Sequence, residues 1–112
     1  MTLREKQSLF VVLVTELLMK ATALDYELTF GETYRSPEEA ARLAKLGKGI
    51  VKSLHTSRLA IDLNLFKDGT YLSSTEAHRP LGEWWEAQHD LCRWGGRFGD
   101  GNHYSLTHGG RA

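Results

Sequence analysis

The sequence predicts an α+β domain in which helices pack on one face of a small antiparallel sheet. Two segments, near residues 2–24 and 36–47, carry the start signals and apolar spacing of helices. Residues 59–65 alternate apolar and polar side chains, as a strand with one buried face does. The turn Lys67–Thr70 follows directly and contains Asp-Gly, so the next residues should return as an antiparallel partner.

The first helix is predicted from its start signal and its apolar face. Thr2 and Glu5 form a capping box, in which each side chain accepts a hydrogen bond from the other residue's backbone N–H. The face that should enter the core carries Phe10, Leu13, Leu17, Ala21 and Leu24. The apolar run at residues 9–14 is only six residues long, well short of the ~20 that span a membrane. We therefore expect a core helix, and neither an export signal nor stable membrane insertion.

A strand and a second helix are predicted next along the chain. Asp25–Phe30 alternates in the manner of a strand. Ser36 then serves as a helix cap, with Pro37 in the first turn and Gly47 at the end. The spacing between the two elements leaves a short loop that holds Arg35.

A third helix is expected near the C-terminal third of the chain. Residues 73–79 should form a loop, because the residue before a proline is biased out of helix, and Pro80 should open a helix to about Cys92. The residues at helical spacing, which we assign to the core, are Leu81, Trp84, Trp85, Gln88 and Leu91. Residues 103–106 can form a last short strand, and residues 107–112 resemble a frayed tail.

Length and charge narrow the functional classes. The 112 residues suit a single domain, residues 1–112, with no room for a second one. Fourteen basic and fourteen acidic side chains cancel, and neither sign forms a long block, so we expect no nucleic-acid partner. Cys92 is the only cysteine, which excludes an intramolecular disulfide and a multi-cysteine metal site and suggests a small buried side chain.

Two histidines and two carboxylates stand out by their positions. The alternation of the predicted strand directs Asp62 away from the core, and His55 precedes it by seven residues. Because that separation is odd, the chain must bend before about Arg58 if the two residues bind one ion. Asp100 and His103 leave a glycine-rich loop three residues apart. This set is sufficient for a zinc cleft on the sheet face opposite the helices.

The order of these residues resembles a family signature. The motifs are Ser53-x-His55, Ala60-x-Asp62 and Asp100-x-x-His103. They resemble the signature S-x-H-x-x-G-x-A-x-D and acid-x-x-H of zinc peptidases that cut bacterial peptidoglycan peptides. That group contains D-alanyl-D-alanine carboxypeptidases and dipeptidases and the L-alanyl-D-glutamate endopeptidases of phage endolysins. The runs at residues 29–36 and 94–103 look most like small phage and prophage members, and the resemblance covers most of residues 24–106, with Arg58 where the pattern usually has glycine.

The resemblance implies a role for each matching residue. His55, Asp62 and His103 would bind zinc and leave the fourth position to water. Asp100 would act as the general base that takes a proton from water and passes it to the leaving amine, although an Asp-Gly dipeptide also forms turns. Arg35 would face the substrate, holding a carboxylate or the tetrahedral oxyanion.

Two further residues complete the candidate substrate-binding set. Ser53 should hydrogen-bond within the turn that carries the first ligand. His78, in the predicted loop, either overhangs the cleft or faces water. For Arg35 the alternative is a surface ion pair with Glu32 or Glu38.

The function that the resemblance implies is zinc-dependent hydrolysis of peptidoglycan stem peptides. The leading interpretation is an L-alanyl-D-glutamate endopeptidase acting as a phage endolysin in host lysis. One alternative is a D-alanyl-D-alanine carboxypeptidase or dipeptidase, and another is a non-catalytic wall-binding phage protein. We expect a monomer without a separate wall-binding domain or signal peptide, which accumulates in the host cytoplasm and reaches the cell wall at lysis.

Overall fold

The computed structural model describes residues 1–50 and 52–112, and within these ranges it contains three α-helices and five β-strands. In chain order they are helix α1 (Leu3–Ala23), strand β1 (Glu27–Phe30), helix α2 (Pro37–Lys45), strands β2 (Ala60–Lys67) and β3 (Thr70–Leu72), helix α3 (Thr75–Gln88), and strands β4 (Cys92–Trp94) and β5 (His103–Leu106). Two short 3-10 turns, Leu54–Ser57 and Gly95–Phe98, precede β2 and follow β4. The predicted α+β class is confirmed.

The strands form one antiparallel sheet centred on β2. The order is β1-β2-β5-β4, and β3 pairs with the C-terminal part of β2 through the predicted hairpin. Asp68 and Gly69 connect β2 to β3 with φ values of 50° and 78°, as a two-residue hairpin turn requires. Strand β2 therefore contacts three other strands and positions any side chain it carries near the middle of the sheet.

The core lies on one face of the sheet, where α1 and α3 pack against it. Strand β2 buries Ile61, Leu63 and Leu65 there, while Asp62 and Asn64 point to the opposite face. The predicted face of α1 is confirmed, with Phe10, Leu13, Leu17 and Ala21 all buried. The capping box of α1 and the Ser36 cap of α2 form as predicted, which fixes where each helix begins.

The prediction for the start of α3 is wrong. The helix begins at Thr75 rather than at Pro80, because the Ser74 hydroxyl caps it by accepting a hydrogen bond from the Ala77 N–H at 3.1 Å. Pro80 lies within the second turn, where it removes one backbone hydrogen bond, and the next residue, Leu81, is completely buried.

The chain after α3 also differs from prediction. The helix ends at Gln88, and Cys92 belongs to β4, a strand that the sequence did not predict. The frayed tail is a wrong prediction too. The Thr107 hydroxyl donates to the Arg111 carbonyl at 2.6 Å, and the Arg111 guanidinium donates to the Lys52 carbonyl at 3.1 Å and to the Ser57 hydroxyl at 3.3 Å. These bonds attach the tail to the turn before β2.

Within residues 1–50 and 52–112, no helix combines the length and the apolar character that a membrane span needs.

Candidate metal centre

His55 reaches the sheet from the 3-10 turn that precedes β2. The Ser53 hydroxyl caps this turn by accepting a hydrogen bond from the His55 N–H at 3.2 Å. The turn ends at Arg58, which adopts the left-handed conformation, with φ 56° and ψ 37°. This is the bend that the odd spacing of His55 and Asp62 required, and it lies at the position where the family pattern usually has glycine.

Asp62 and His103 face each other across two paired strands. The register of β2 and β5 places these residues directly opposite one another, so their side chains leave the same face of the sheet. The neighbouring pair, Ile61 and Tyr104, points into the core on the other face. The alternation that buries Ile61 thus places Asp62 and His103 together on the side away from α1 and α3.

The structure brings His55, Asp62 and His103 into one cluster. Asp62 Oδ1 lies 3.3 Å from His55 Nε2 and 3.2 Å from His103 Nδ1. One candidate ligand atom from each residue lies within 4.8 Å of the others, and both histidines are buried. The spacing allows the three side chains to converge on a single metal ion.

The tautomer of His55 follows from its hydrogen bonds. Its Nδ1 lies 2.9 Å from the Thr33 carbonyl, which can only accept, so Nδ1 carries the hydrogen. The lone pair of Nε2 then points at the Asp62 carboxylate, and two acceptors face each other. A cation, either a proton or a metal ion, is needed between them.

The pKa shifts of His55 and Asp62 also indicate that a cation is needed between these two side chains. Burial acts to lower the pKa of His55, but the Asp62 carboxylate and the Thr33 carbonyl outweigh it and the net pKa is raised. Burial acts to raise the pKa of Asp62, but hydrogen bonds to His103 and His55 lower it to about 2. Asp62 is therefore an anion at neutral pH, in contact with two imidazoles.

The donor set fits zinc. Two imidazole nitrogens and one carboxylate oxygen match the ligands of hydrolytic zinc sites, which leave one position open. His103 Nε2 is also buried with no hydrogen-bond partner among the described residues, so this site has a ring nitrogen that the protein alone does not satisfy.

Asp100 lies at the edge of the cluster and is more exposed than Asp62. Its Oδ2 is 4.0 Å from His103 Nδ1, and its side chain is 53% exposed. Burial raises the pKa of Asp100, and the neighbouring histidines oppose this only in part. Gly95 shapes this loop, because a Cβ there would lie 2.2 Å from the Asp100 carbonyl oxygen and 2.7 Å from His103 Cβ.

A segment that follows β1, residues 31–35, holds both ligand-bearing elements by backbone hydrogen bonds. Gly31 N–H donates to the Asp62 carbonyl and Asp62 N–H donates to the Glu32 carbonyl, each at 2.8 Å. Arg35 N–H donates to the His55 carbonyl at 3.2 Å. The segment thus fixes the turn of His55 relative to β2.

Arg35 lines the same cleft and also forms an ion pair. Its guanidinium contacts the Glu32 carboxylate, which was the alternative considered for it, and its side chain is only 13% exposed. Arg35 Nε is buried without a hydrogen-bond partner among the described residues. Arg35 therefore has a charge partner and still retains an unused donor.

The structure does not bring His78 into the cleft. It lies in α3, not in a loop, and is 2% exposed, with Nδ1 at 2.8 Å from the Tyr104 hydroxyl in the core. Burial lowers the pKa of His78, so the ring is neutral at pH 7. The start of α3 at Thr75 rotates this side chain onto the buried face of the helix.

The cleft has a volume of about 310 Å³ and includes residues that sequence reasoning missed. Phe98 and Ile50 are exposed apolar side chains, and Lys48 adds a positive charge. A separate groove of about 350 Å³ runs beside α1 and is mostly apolar. We assign the chemistry to the first cleft because, among the residues that the structure describes, the lining of the second includes no histidine, cysteine or carboxylate.

The fold is similar to that of a solved enzyme structure. The crystal structure of the L-Ala D-Glu endopeptidase ChiX of Serratia marcescens matches with a TM-score of 0.67 and 19% sequence identity, over 88% of this chain and 77% of that chain. No protein-family model matches the sequence, and no curated protein is significantly similar to it. At this identity the comparison establishes the shared fold.

Proposed function

We propose that this protein is a zinc-dependent peptidase of bacterial peptidoglycan that cuts between L-alanine and D-glutamate in the stem peptide. The observation that carries the proposal is the cluster of His55, Asp62 and His103, with Asp100 beside it, in an open cleft. The fold shared with an L-Ala D-Glu endopeptidase and the family resemblance of the motifs support the choice of substrate.

The proposed roles of the residues differ according to their burial and their position in the cleft. His55, Asp62 and His103 would hold zinc, which when bound supplies Lewis-acid polarisation of the scissile carbonyl and makes water acidic enough to lose a proton near neutral pH. Asp100, exposed and carrying a raised pKa, takes that proton from the attacking water and gives it to the departing amine as the C–N bond breaks. Arg35, whose side chain lines the cleft, binds a substrate carboxylate or the oxygen that becomes negative.

The test is product analysis on purified peptidoglycan. Zinc-loaded wild-type protein should generate new N-terminal D-glutamate or D-isoglutamate ends, detected by mass spectrometry, and Asp100→Asn at matched zinc content should not. Release of free D-alanine would instead assign a carboxypeptidase. Absence of any product, with retained binding to cell walls, would support a non-catalytic wall-binding protein.

We extend the proposal to a role as a monomeric phage endolysin that acts on the host cell wall from the cytoplasmic side at lysis. The support is the likeness of residues 29–36 and 94–103 to small phage and prophage members of the resembled family. Expression in a bacterial host should cause lysis only when a membrane pore is supplied with it. Lysis by the protein alone would contradict the need for a pore.

A further inference from the structure

Glu32 is a charged residue of the cleft region that the metal cluster does not use. Its side chain is 33% exposed, and Oε1 is both in contact with the Arg35 guanidinium and 3.8 Å from His55 Nδ1. Its backbone carbonyl accepts the hydrogen bond from Asp62 N–H at 2.8 Å. Glu32 therefore lies next to two candidate ligands, His55 and Asp62, and contacts Arg35, the candidate substrate-binding residue.

The carboxylate of Glu32 contacts Arg35 directly, whereas it acts on His55 only through space. The distance of 3.8 Å to His55 Nδ1 is too long for a hydrogen bond, and the Nδ1–H is already donated to the Thr33 carbonyl at 2.9 Å. The orientation of His55 is thus set by backbone atoms. The ion pair with Arg35 is the shorter of the two contacts that the Glu32 carboxylate makes with basic side chains among the described residues.

Arg35 needs a fixed partner because it lies in a confined place. Its side chain is 13% exposed, and Nη1 lies 3.2 Å from the position that a Cβ of Gly49 would occupy. A guanidinium with so little access to water is unfavourable without a counter-charge, and a flexible side chain that loses its partner turns toward solvent. In this arrangement one Nη contacts Glu32, and Nε is buried without a hydrogen-bond partner among the described residues, in a side chain that lines the cleft.

We propose that Glu32 is a positioning residue, which holds the Arg35 guanidinium at the wall of the cleft in the orientation that binds the substrate. The inference rests on the proposed peptidase activity and adds to it a residue outside the ligand and base set. It makes a specific prediction: the effect of Glu32 on turnover must pass through Arg35, and the effect on metal affinity must be small.

A double-mutant cycle tests this dependence. The proteins are wild type, Glu32→Gln, Arg35→Gln and the double variant, each loaded with zinc and assayed for kcat/KM on a purified muropeptide. Glu32→Gln should lower kcat/KM by roughly tenfold in the wild-type background and by less than about twofold when Arg35 is already glutamine. Its zinc affinity, measured by competition with a chelator, should stay within about threefold of wild type.

A matched control and a second readout separate the possible outcomes. Glu76→Gln breaks another glutamate–arginine pair of the same spacing, with Arg79 on the exposed surface of α3, and should leave kcat/KM unchanged. The exchange rate of the Arg35 Nε–H, followed by nitrogen-15 NMR and assigned by its loss in Arg35→Gln, should rise in Glu32→Gln. Equal losses of kcat/KM in both backgrounds, or an unchanged exchange rate, would overturn the role of Glu32. If wild-type protein cleaves no muropeptide, the proposed function fails, and the exchange rate alone decides whether Glu32 holds Arg35.

Discussion

Two chemically identical substitutions, Asp62→Asn and Asp100→Asn, should differ in their effect on the stability of the metal-free protein: the first should lower it and the second should not. Burial opposes the charge of Asp62, but hydrogen bonds to His103 and His55 overcome it and lower its pKa from 3.8 to about 2. Burial raises the pKa of Asp100, with the histidines opposing it only in part. The folded state therefore favours the charged form of Asp62 and disfavours the charged form of Asp100.

The loss of folding stability expected in Asp62→Asn follows from the linkage between proton binding and folding. A fall of the pKa from 3.8 to about 2 corresponds to about 2 kcal/mol of stability, with little screening because the side chain is 22% exposed. For 112 residues the entropy of unfolding is about 0.24 kcal/mol/K, so Tm should fall by roughly 8–10 °C in Asp62→Asn. A lowered carboxyl pKa contributes stability above the unfolded value of 3.8 and loses it as the pH falls through about 2, so the contribution is complete at pH 7.

For Asp100 the effect of the carboxylate charge on folding stability has the opposite sign. A raised carboxyl pKa means that charging this group at neutral pH costs folding free energy, and an amide of the same shape removes the cost. Asp100→Asn should melt at the wild-type temperature or above it. The assay is thermal unfolding in EDTA at pH 7, followed by the fluorescence of the buried Trp85 and Trp94. An Asp62→Asn variant with the wild-type Tm, or an Asp100→Asn variant destabilised as much as Asp62→Asn, would refute the electrostatic description of the cluster.

Three other outcomes test the metal centre and the core. Zinc at about a thousandfold excess over its dissociation constant should stabilise wild type and Asp100→Asn by ~4 kcal/mol and should leave the Tm of His55→Ala unchanged. Gly95→Ala should weaken zinc binding and abolish cleavage, because the added methyl group would displace both Asp100 and His103; a wild-type zinc affinity would contradict this. Burial raises the pKa of Cys92 to about 12, so the native thiol should resist alkylation at pH 8 and react only after unfolding, as mass spectrometry can show.

The alternation of buried and exposed side chains along β2 could be predicted from the sequence, but its pairing with β5 could not. Alternating apolar side chains place Asp62 on the face away from the core, which is a local property. The pairing of Asp62 with His103 joins residues 41 positions apart and depends on the sheet order, in which β5 lies between β2 and β4. Only the resemblance of the motifs linked these two residues in advance.

The start of helix α3 was mispredicted because a helix cap outweighs the conformational bias of the residues before proline. The bias of residues before proline favoured a loop up to Arg79, but Ser74 caps the helix earlier and Arg79 pairs with Glu76 and Glu83 on its exposed face. This shift placed His78 in the core rather than over the cleft. Glu32 was visible in the sequence only as a possible ion-pair partner, because its position beside both Arg35 and His55 requires the fold.

Arg58 shows how the site tolerates a residue other than glycine at its bend. The left-handed conformation costs a non-glycine residue about 1 kcal/mol, yet the turn closes, with Leu59 N–H donating to the Leu54 carbonyl at 3.1 Å. The Arg58 guanidinium lies 4.1 Å from the centre of the Tyr34 ring, a contact worth about 0.5–1 kcal/mol at such sites. Since Tyr34 belongs to the 31–35 segment, this contact offsets the strain and also joins the turn of His55 to that segment. The substitution at the bend is therefore compatible with the same ligand geometry, because the segment that holds Arg35 and Asp62 also holds the turn.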